Sequence, residues 1–165
     1  MDVHGAYNNV RIADGDEWKA MFITELGLFE PTVMFFSMCN LPTTFQHMMD
    51  HLFVHQLVGG WLLIYMDDML IATDDDTVLD IDCIQQSLQV LRDNDLYIKP
   101  SKCKFLQCRI KFLGFIIENG TLSMDPVKVK GIANWPLPQT LRQLCSFLGF
   151  CNFYHRFILQ YADLA

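Results

Sequence analysis

Two adjacent carboxylates, Asp67 and Asp68, interrupt the most apolar part of the chain, between residues 61–66 and 69–72. Burying either one ionised and without a partner would cost several kcal/mol, so the pair must be solvated, protonated or bound to a cation. Divalent cations such as Mg²⁺ prefer carboxylate oxygens and keep water that substrate phosphates can replace. The pattern therefore fits a metal-dependent phosphoryl-transfer site, and the alternative is an ordinary polar turn.

Two further observations favour the metal site over the polar turn. Asp-Asp is a poor sequence for a two-residue hairpin turn compared with Asn-Gly or Asp-Gly. A third carboxylate, Asp2, opens another strand-like segment that could lie beside the pair.

Three histidines recur every four residues, at His47, His51 and His55. Imidazoles on adjacent helical turns could bind zinc or nickel. Because nothing else nearby completes a metal site, a solvated helix face is the favoured interpretation.

The two aspartates are predicted to lie at the tip of a hairpin, between strands at 61–65 and 69–72. Before this hairpin, Asn40 is expected to cap a helix with apolar residues at three-and-four spacing. These apolar residues are Phe45, Met48, Met49, Leu52 and Phe53. After the hairpin, residues 74–76 are expected to begin a second helix. Its inward face is predicted to comprise Val78, Ile81, Leu88 and Leu91.

The remaining segments alternate between strands and helices. The segment from Met1 to Glu25 is predicted to form a β-hairpin with its turn at 13–16. A further hairpin is predicted from 112–117 and 121–124, with Asn119-Gly120 as the turn. An aromatic-rich helix is expected from 141 to 158, where the aromatics either form a core or stack on bases. The irregular order predicts an α+β fold rather than repeated βαβ units.

Composition limits the class of protein. The chain has 165 residues, of which 52% are hydrophobic, enough for one compact domain and too apolar for disorder. Its apolar runs are far shorter than a membrane helix and no signal peptide is recognisable, so we expect a protein without membrane association, inside the cell. The six cysteines contain no pair spaced by two residues, and we expect them to be reduced core residues.

The charge is distributed unevenly. The net charge is −7, which disfavours tight nucleic-acid binding by the chain as a whole. Residues 99–130 nevertheless contain seven basic and two acidic side chains. This segment is either a surface facing a polyanion or a solvated lysine-rich surface.

Eight short stretches together carry a family resemblance that extends almost from end to end. They are DVHGAYN at 2–8, GDEWK at 15–19, GLFE at 27–30, NLPTTFQ at 40–46, YMDD at 65–68, SKC at 101–103, FLG at 112–114 and SFLG at 146–149. In their order and spacing the chain resembles the reverse transcriptase of gypsy-type LTR retrotransposons. The resemblance implies a right-hand polymerase palm, in which an antiparallel sheet packs on helices, with the start of a helical thumb.

The resemblance also implies a metal site for two Mg²⁺ ions, with Mn²⁺ as a substitute. Asp2 and Asp67 would be the main ligands, with Asp68 as the weaker third carboxylate and Val3 beside them. Successive strand residues point to opposite faces. Asp67 and Asp68 can therefore both face the metals only if the hairpin tip bends.

The incoming nucleotide would be bound by residues from two stretches. These are Val3, His4, Gly5, Ala6, Tyr7, Phe36 and Ser37. Tyr7 resembles the aromatic residue that excludes a 2′-hydroxyl, and the alternative is a core tyrosine. Ser37 stands where the family usually has glycine, so its Cβ is expected to restrict backbone approach to the nucleotide.

Two further roles follow from the resemblance. Lys102 matches a lysine that protonates or neutralises the departing pyrophosphate, and the alternative is one more basic surface residue. Phe112, Leu113 and Gly114 resemble the hairpin that grips the primer terminus, where glycine lets the backbone come close to the strand.

The resemblance implies a palm at 1–124 and a partial thumb at 125–165, with the fingers absent. The implied function is RNA- or DNA-templated DNA synthesis by two-metal nucleotidyl transfer. The implied partners are an RNA or DNA template with primer, deoxynucleoside triphosphates, and the remainder of a Pol polyprotein (protease, fingers, RNase H and integrase). The alternative is a non-catalytic retroelement remnant that acts as a binding or dimerisation module.

Overall fold

The computed structural model describes residues 1–73 and 77–164. The chain divides into two compact units, Met1–Leu106 and Gln107–Ala165. Antiparallel strands and helices alternate irregularly along it, which confirms the predicted α+β class. The predicted helix start at 74–76 lies outside the described residues, and the predicted boundary between palm and thumb at 124 stays a prediction.

The first unit contains six strands and three α-helices within its described residues. The strands are β1 Val3–His4, β2 Phe22–Thr24, β3 Gly27–Phe29, β4 Leu62–Tyr65, β5 Asp68–Ile71 and β6 Tyr97–Ile98. The helices are α1 Leu41–Leu52, α2 Val54–Val58 and α3 Thr77–Asp93. Short 3₁₀ turns occur at Ala6–Asn9, Glu17–Ala20 and Pro100–Lys102.

The short strand β1 connects two distant parts of the first unit. It pairs antiparallel with β6, with Val3 opposite Ile98. One residue earlier, Asp2 forms an antiparallel bridge with Asp68 at the start of β5, and β5 pairs antiparallel with β4. The first residues of the chain therefore lie between the β4–β5 hairpin and β6.

Helix α1 supplies the centre of the core, as the sequence predicts. Phe45, Met49 and Phe53 are completely buried and pack with Leu62 and Met69 of the hairpin. Each such large apolar side chain contributes roughly 1.5–3 kcal/mol when it leaves water. Asn40 precedes the helix as predicted, but its side chain makes no capping hydrogen bond.

The predicted inward face of α3 is partly wrong. Leu91 is buried, but Val78 and Ile81 are exposed. The buried positions are instead Cys83, Ser87 and Leu91, four residues apart on one stripe. Two of these residues, Cys83 and Ser87, are small, and apolar periodicity does not reveal them.

The hairpin predicted between Met1 and Glu25 is wrong. Residues 17–20 form a 3₁₀ turn, and the observed hairpin joins β2 to β3. Val10 and Ile12 form backbone hydrogen bonds with Met34 and Thr32 instead. Alternation alone could not show that their pairing partners lie beyond the next hairpin of the chain.

The second unit is a three-stranded antiparallel meander followed by helices. Its strands are β7 Arg109–Phe112, β8 Phe115–Glu118 and β9 Thr121–Met124. Its helices are α4 Pro126–Ala133, α5 Leu141–Phe153 and α6 Tyr161–Leu164, with a 3₁₀ turn at His155–Phe157. The Asn119-Gly120 turn is confirmed, whereas the strand predicted over 112–117 is interrupted by a second turn at Leu113-Gly114.

The aromatic residues of the second unit form a cluster around Phe115. Its ring contacts those of Phe153, Tyr154 and Phe157. Tyr154 is buried, while Phe153 is largely exposed. The aromatics therefore divide between a core and an accessible surface, and α5 ends earlier than the predicted residue 158.

The cysteines are free, but they are not all core residues as expected. Cys83 and Cys151 are buried, whereas Cys39, Cys108 and Cys145 are exposed.

None of the helices in the described part of the chain is long and apolar enough to cross a membrane.

Candidate active site

The β4–β5 hairpin presents two aspartates at its tip, as predicted. Tyr65 pairs with Asp68, which leaves Met66 and Asp67 as a two-residue turn. Met66 has φ 55, in the left-handed region that costs a residue with a Cβ about 1–2 kcal/mol. The turn is therefore locally strained at Met66, the residue just before the two carboxylates.

The third carboxylate, Asp2, lies directly opposite Asp68. The hydrogen bonds on either side run from the Val3 N–H to the Asp67 carbonyl (2.9 Å) and from the Met69 N–H to the Met1 carbonyl (2.8 Å). This pattern makes Asp2 and Asp68 a non-hydrogen-bonded pair, in which opposite side chains lie closest and on one face. The structure thus places two like charges side by side.

Lys102 offsets part of this repulsion. Its Nζ lies 2.8 Å from Oδ2 of Asp2, and the lysine side chain is 55% exposed while that of Asp2 is 16% exposed. The hydrogen bond to Asp2 raises the pKa of Lys102 above its usual value. Desolvation, and then the negative charges of Asp67 and Asp2, raise the pKa of Asp68. The three carboxylates therefore share one electrostatic environment.

The donor set fits a hard divalent cation by type. Carboxylate oxygens suit Mg²⁺, which usually takes only one or two protein carboxylates and completes its shell with water and phosphate oxygens. In the part of the chain that the structure describes, no group of three or more His, Cys, Asp or Glu side chains is arranged to hold a metal ion. Val3 is buried, and its N–H holds the Asp67 carbonyl.

Tyr7 stands beside this cluster. Its ring contacts Phe45 at 5.2 Å and Phe36 at 5.3 Å between centroids, both edge to face. Desolvation and the nearby charge of Asp67 raise its pKa. Tyr7 is half-buried, and its role as a core tyrosine or as an aromatic wall of the nucleotide site stays a prediction.

Of the other predicted nucleotide-binding residues, Val3 is buried, whereas His4, Gly5, Phe36 and Ser37 are exposed. Ala6 begins the 3₁₀ turn that carries Tyr7, and Phe36 is 72% exposed. Ser37 has φ 84, a conformation that favours glycine. The serine thus occupies a backbone geometry suited to the glycine that the resemblance leads one to expect.

One residue at the site escaped the sequence analysis. Gln46 on α1 accepts a hydrogen bond from the Met66 N–H at 2.7 Å, and its own amide donates to Asp50 Oδ1 at 2.8 Å. The available signals were its place in the stretch 40–46 and the i, i+4 spacing to Asp50.

The predicted primer-grip residues belong to the second compact unit. Leu113 and Gly114 form the turn between β7 and β8, with φ 50 and φ 83. A Cβ at Gly114 would lie 2.8 Å from the hydroxyl of Tyr154. The glycine is therefore required by both conformation and space.

The three histidines lie on the surface. His47 and His51 on α1 and His55 on α2 are all exposed, so the three are solvated but do not lie on one helix as predicted.

Curated proteins similar to this chain are retrotransposon polyproteins. The chain is 31% identical over 165 residues to the retrovirus-related Pol polyprotein from transposon 297 of Drosophila melanogaster, and covers 15% of that polyprotein. It is 29% identical over 168 residues to the transposon Tf2-3 polyprotein of Schizosaccharomyces pombe, where it covers 12% of the relative and the match includes 99% of this chain. The chain thus spans a small part of the relatives it matches.

Solved structures show the same fold. The foamy viral protease-reverse transcriptase dRH in complex with double-stranded DNA superposes with a TM-score of 0.86 at 22% identity, over 98% of this chain and 28% of the other. The foamy viral protease-reverse transcriptase in complex with RNA/DNA hybrid gives 0.75 at 23% identity, over 92% and 20%. The predicted polymerase fold is confirmed. The family model for reverse transcriptase (RNA-dependent DNA polymerase) matches residues 1–117, and the chain therefore belongs to that family.

Proposed function

We propose that this chain carries the catalytic centre for templated DNA synthesis in a retroelement polyprotein. The observation that supports this proposal is the pairing of Asp2 with Asp68 beside Asp67 at the turn. Carboxylates far apart in sequence are brought together although their repulsion disfavours it. A structural hairpin has no need of this arrangement.

Asp2, Asp67 and Asp68 would hold two Mg²⁺ ions, with Mn²⁺ as a substitute. When bound, such ions lower the pKa of an attacking hydroxyl and neutralise phosphate charge. Asp2 and Asp68 project from one face, and the bend at Met66 brings Asp67 toward them. Val3 holds the turn through the Asp67 carbonyl, so the carboxylates approach the substrate from a fixed backbone.

Lys102 and Tyr7 act on the nucleotide. The largely exposed ammonium of Lys102 neutralises the departing pyrophosphate when it moves from Asp2. The ring of Tyr7 is fixed between Phe36 and Phe45, so it forms a rigid wall against a 2′-hydroxyl. Val3, His4, Gly5, Ala6, Phe36 and Ser37 line the rest of the nucleotide site.

The primer–template duplex would be bound by the basic segment 99–130 and by the grip residues Phe112, Leu113 and Gly114. Within this segment Lys111 pairs with Asp125 at 2.9 Å and Arg109 approaches Glu118 at 3.7 Å. These counter-charges reduce its net positive field. Other parts of the polyprotein, the fingers above all, are therefore proposed partners of this chain. The reaction would take place in the cytoplasm or nucleus.

Primer extension tests this proposal. The chain is placed between fingers and thumb segments from the Drosophila relative, and extension is measured on RNA and DNA templates. Asp67→Asn should lower the rate at least about 100-fold, because charge stabilisation in the transition state depends on the carboxylate. Asp14→Asn, a control in an exposed loop, should extend like the parent. Equal activity of Asp67→Asn and the parent would contradict the proposal.

A binding module is the second candidate, and one observation favours it. The β2–β3 hairpin exposes Phe22, Ile23, Leu26, Leu28 and Phe29, an apolar surface typical of an interface. If the parent shows no extension while the chain self-associates, this second function is the better description.

A further inference from the structure

We propose that Gln46 is a positioning residue that holds the Met66-Asp67 turn in its strained conformation, and that Asp50 orients Gln46 for this purpose. The inference about the turn is independent of catalysis. Its consequence for DNA synthesis rests on the proposed function.

The Gln46 amide makes three polar contacts, all consistent with one orientation. Oε1 accepts from the Met66 N–H at 2.7 Å, and Nε2 donates to Asp50 Oδ1 at 2.8 Å and to the Ile64 carbonyl at 3.3 Å. The Ile64 and Asp50 oxygens are acceptors only, so they fix which end of the amide faces the turn. If the amide were flipped, Oε1 of Gln46 would face the Asp50 and Ile64 oxygens, and no hydrogen bond could form to either.

The hydrogen bond from the Met66 N–H is the contact that matters for the turn. Met66 follows the last residue of β4 and has φ 55. A strained backbone conformation persists only where neighbouring groups hold it. On the other side of the turn, the Asp67 carbonyl accepts from Val3. Gln46 and Val3 therefore hold the two peptide groups flanking the catalytic turn from two different elements.

The helix gives Gln46 a rigid base. Its neighbour Phe45 and the next turn's Met49 are completely buried, which fixes the backbone of α1 against the hairpin. A glutamine on a fixed backbone loses less freedom when it forms its bonds than one on a loop. The Gln46 side chain thus links the turn to the buried side of α1.

The experiment compares Gln46→Met with Gln89→Met in the full chain. Methionine has nearly the shape of glutamine but cannot replace its hydrogen bonds. Gln89 on α3 is a matched control, because it also donates to an aspartate four residues on, Asp93, at 2.7 Å and lies on an exposed surface. Amide exchange of Met66 and Mn²⁺ binding by EPR are measured on both variants.

In Gln46→Met we expect Met66 exchange to accelerate about tenfold, in line with the loss of one net hydrogen bond. Mn²⁺ affinity should fall about three- to tenfold, and Gln89→Met should change neither quantity. Unchanged Met66 exchange in a folded Gln46→Met would overturn the inference.

Asp50→Ala provides a second variant should Gln46→Met fail to fold. It leaves Gln46 in place but removes its orienting acceptor, so Met66 exchange should accelerate by a smaller factor of about two to four. Exchange equal to the parent would refute the role of Asp50. The turn could loosen in these variants while the parent chain shows no primer extension. That result would support the inference and contradict the proposed function.

Discussion

Two hairpin turns of the same length are held in opposite ways. The Met66-Asp67 turn contains no glycine, carries a charge, and is held by hydrogen bonds from Gln46 and Val3. The Leu113-Gly114 turn has positive φ at both positions, the geometry that matches strand twist. It packs against the buried Tyr154. The first turn has an unfavourable sequence and is held by hydrogen bonds. The second turn has a favourable sequence and is held by packing against Tyr154.

This difference follows from what each turn presents. Under the proposed function an aspartate at the tip binds a cation, so the sequence cannot be optimised for the turn and the surroundings must compensate. In the proposed primer grip, glycine at the second turn lets the backbone come close to the primer strand.

The largest effect is expected at Gly114. Gly114→Ala should destabilise the second unit by about 2–4 kcal/mol, because the new Cβ meets the Tyr154 hydroxyl in a left-handed conformation. Denaturant unfolding measures this. Gly120→Ala is the control: it has φ 69 but nothing within 4 Å, and should cost about 1–2 kcal/mol.

Adding Tyr154→Phe should recover part of the loss in Gly114→Ala by removing the hydroxyl. If the two glycine variants were equally stable, packing against Tyr154 would not hold the second turn.

The charge on the first turn gives the next effect. Lys102→Gln should raise Mn²⁺ affinity about three- to tenfold, because a cation no longer competes for Asp2. Titration followed by EPR measures it at low salt. Lys104→Gln removes an equal charge from an exposed neighbouring residue and should change affinity less. Equal gains in both would mean that only net charge matters.

Backbone strain in the first turn predicts a smaller effect. Met66→Asn should stabilise the chain by about 0.5 kcal/mol, since asparagine tolerates the left-handed region better than methionine. The backbone bond to Gln46 is kept, so Met66 loses only its side chain. Chemical denaturation checks the sign, and a destabilised variant would show that the methionine side chain outweighs the strain.

The smallest effect concerns the pH dependence of stability. The pKa of Asp68 in the folded state is raised above its ordinary value of 3.8. Between the ordinary and the raised pKa, the folded state therefore binds the Asp68 proton more tightly than the unfolded state does. Stability therefore falls as pH rises through that window. Asp68→Asn should stabilise the chain near neutral pH by less than about 0.5 kcal/mol after screening by solvent. The gain should vanish below about pH 3.8, and a gain that persists in acid would exclude this cause.

Local patterns were sufficient for several elements. The face of α1 through Phe45, Met49 and Phe53 follows from spacing alone, as does the Asn119-Gly120 turn. Both depend on residues close in sequence. The hairpin expected near residues 13–16 failed because Val10 and Ile12 find their partners around Thr32 and Met34.

Local patterns in the sequence are enough to predict two carboxylates at a hairpin tip and a resemblance to a polymerase. Three contacts come only from the folding of the first unit: Asp2 faces Asp68, Lys102 pairs with Asp2, and Gln46 hydrogen-bonds the turn. Spacing along a helix or strand reports which residues share a face of one element. Which faces meet depends on the packing of the whole core, and no local pattern contains that information.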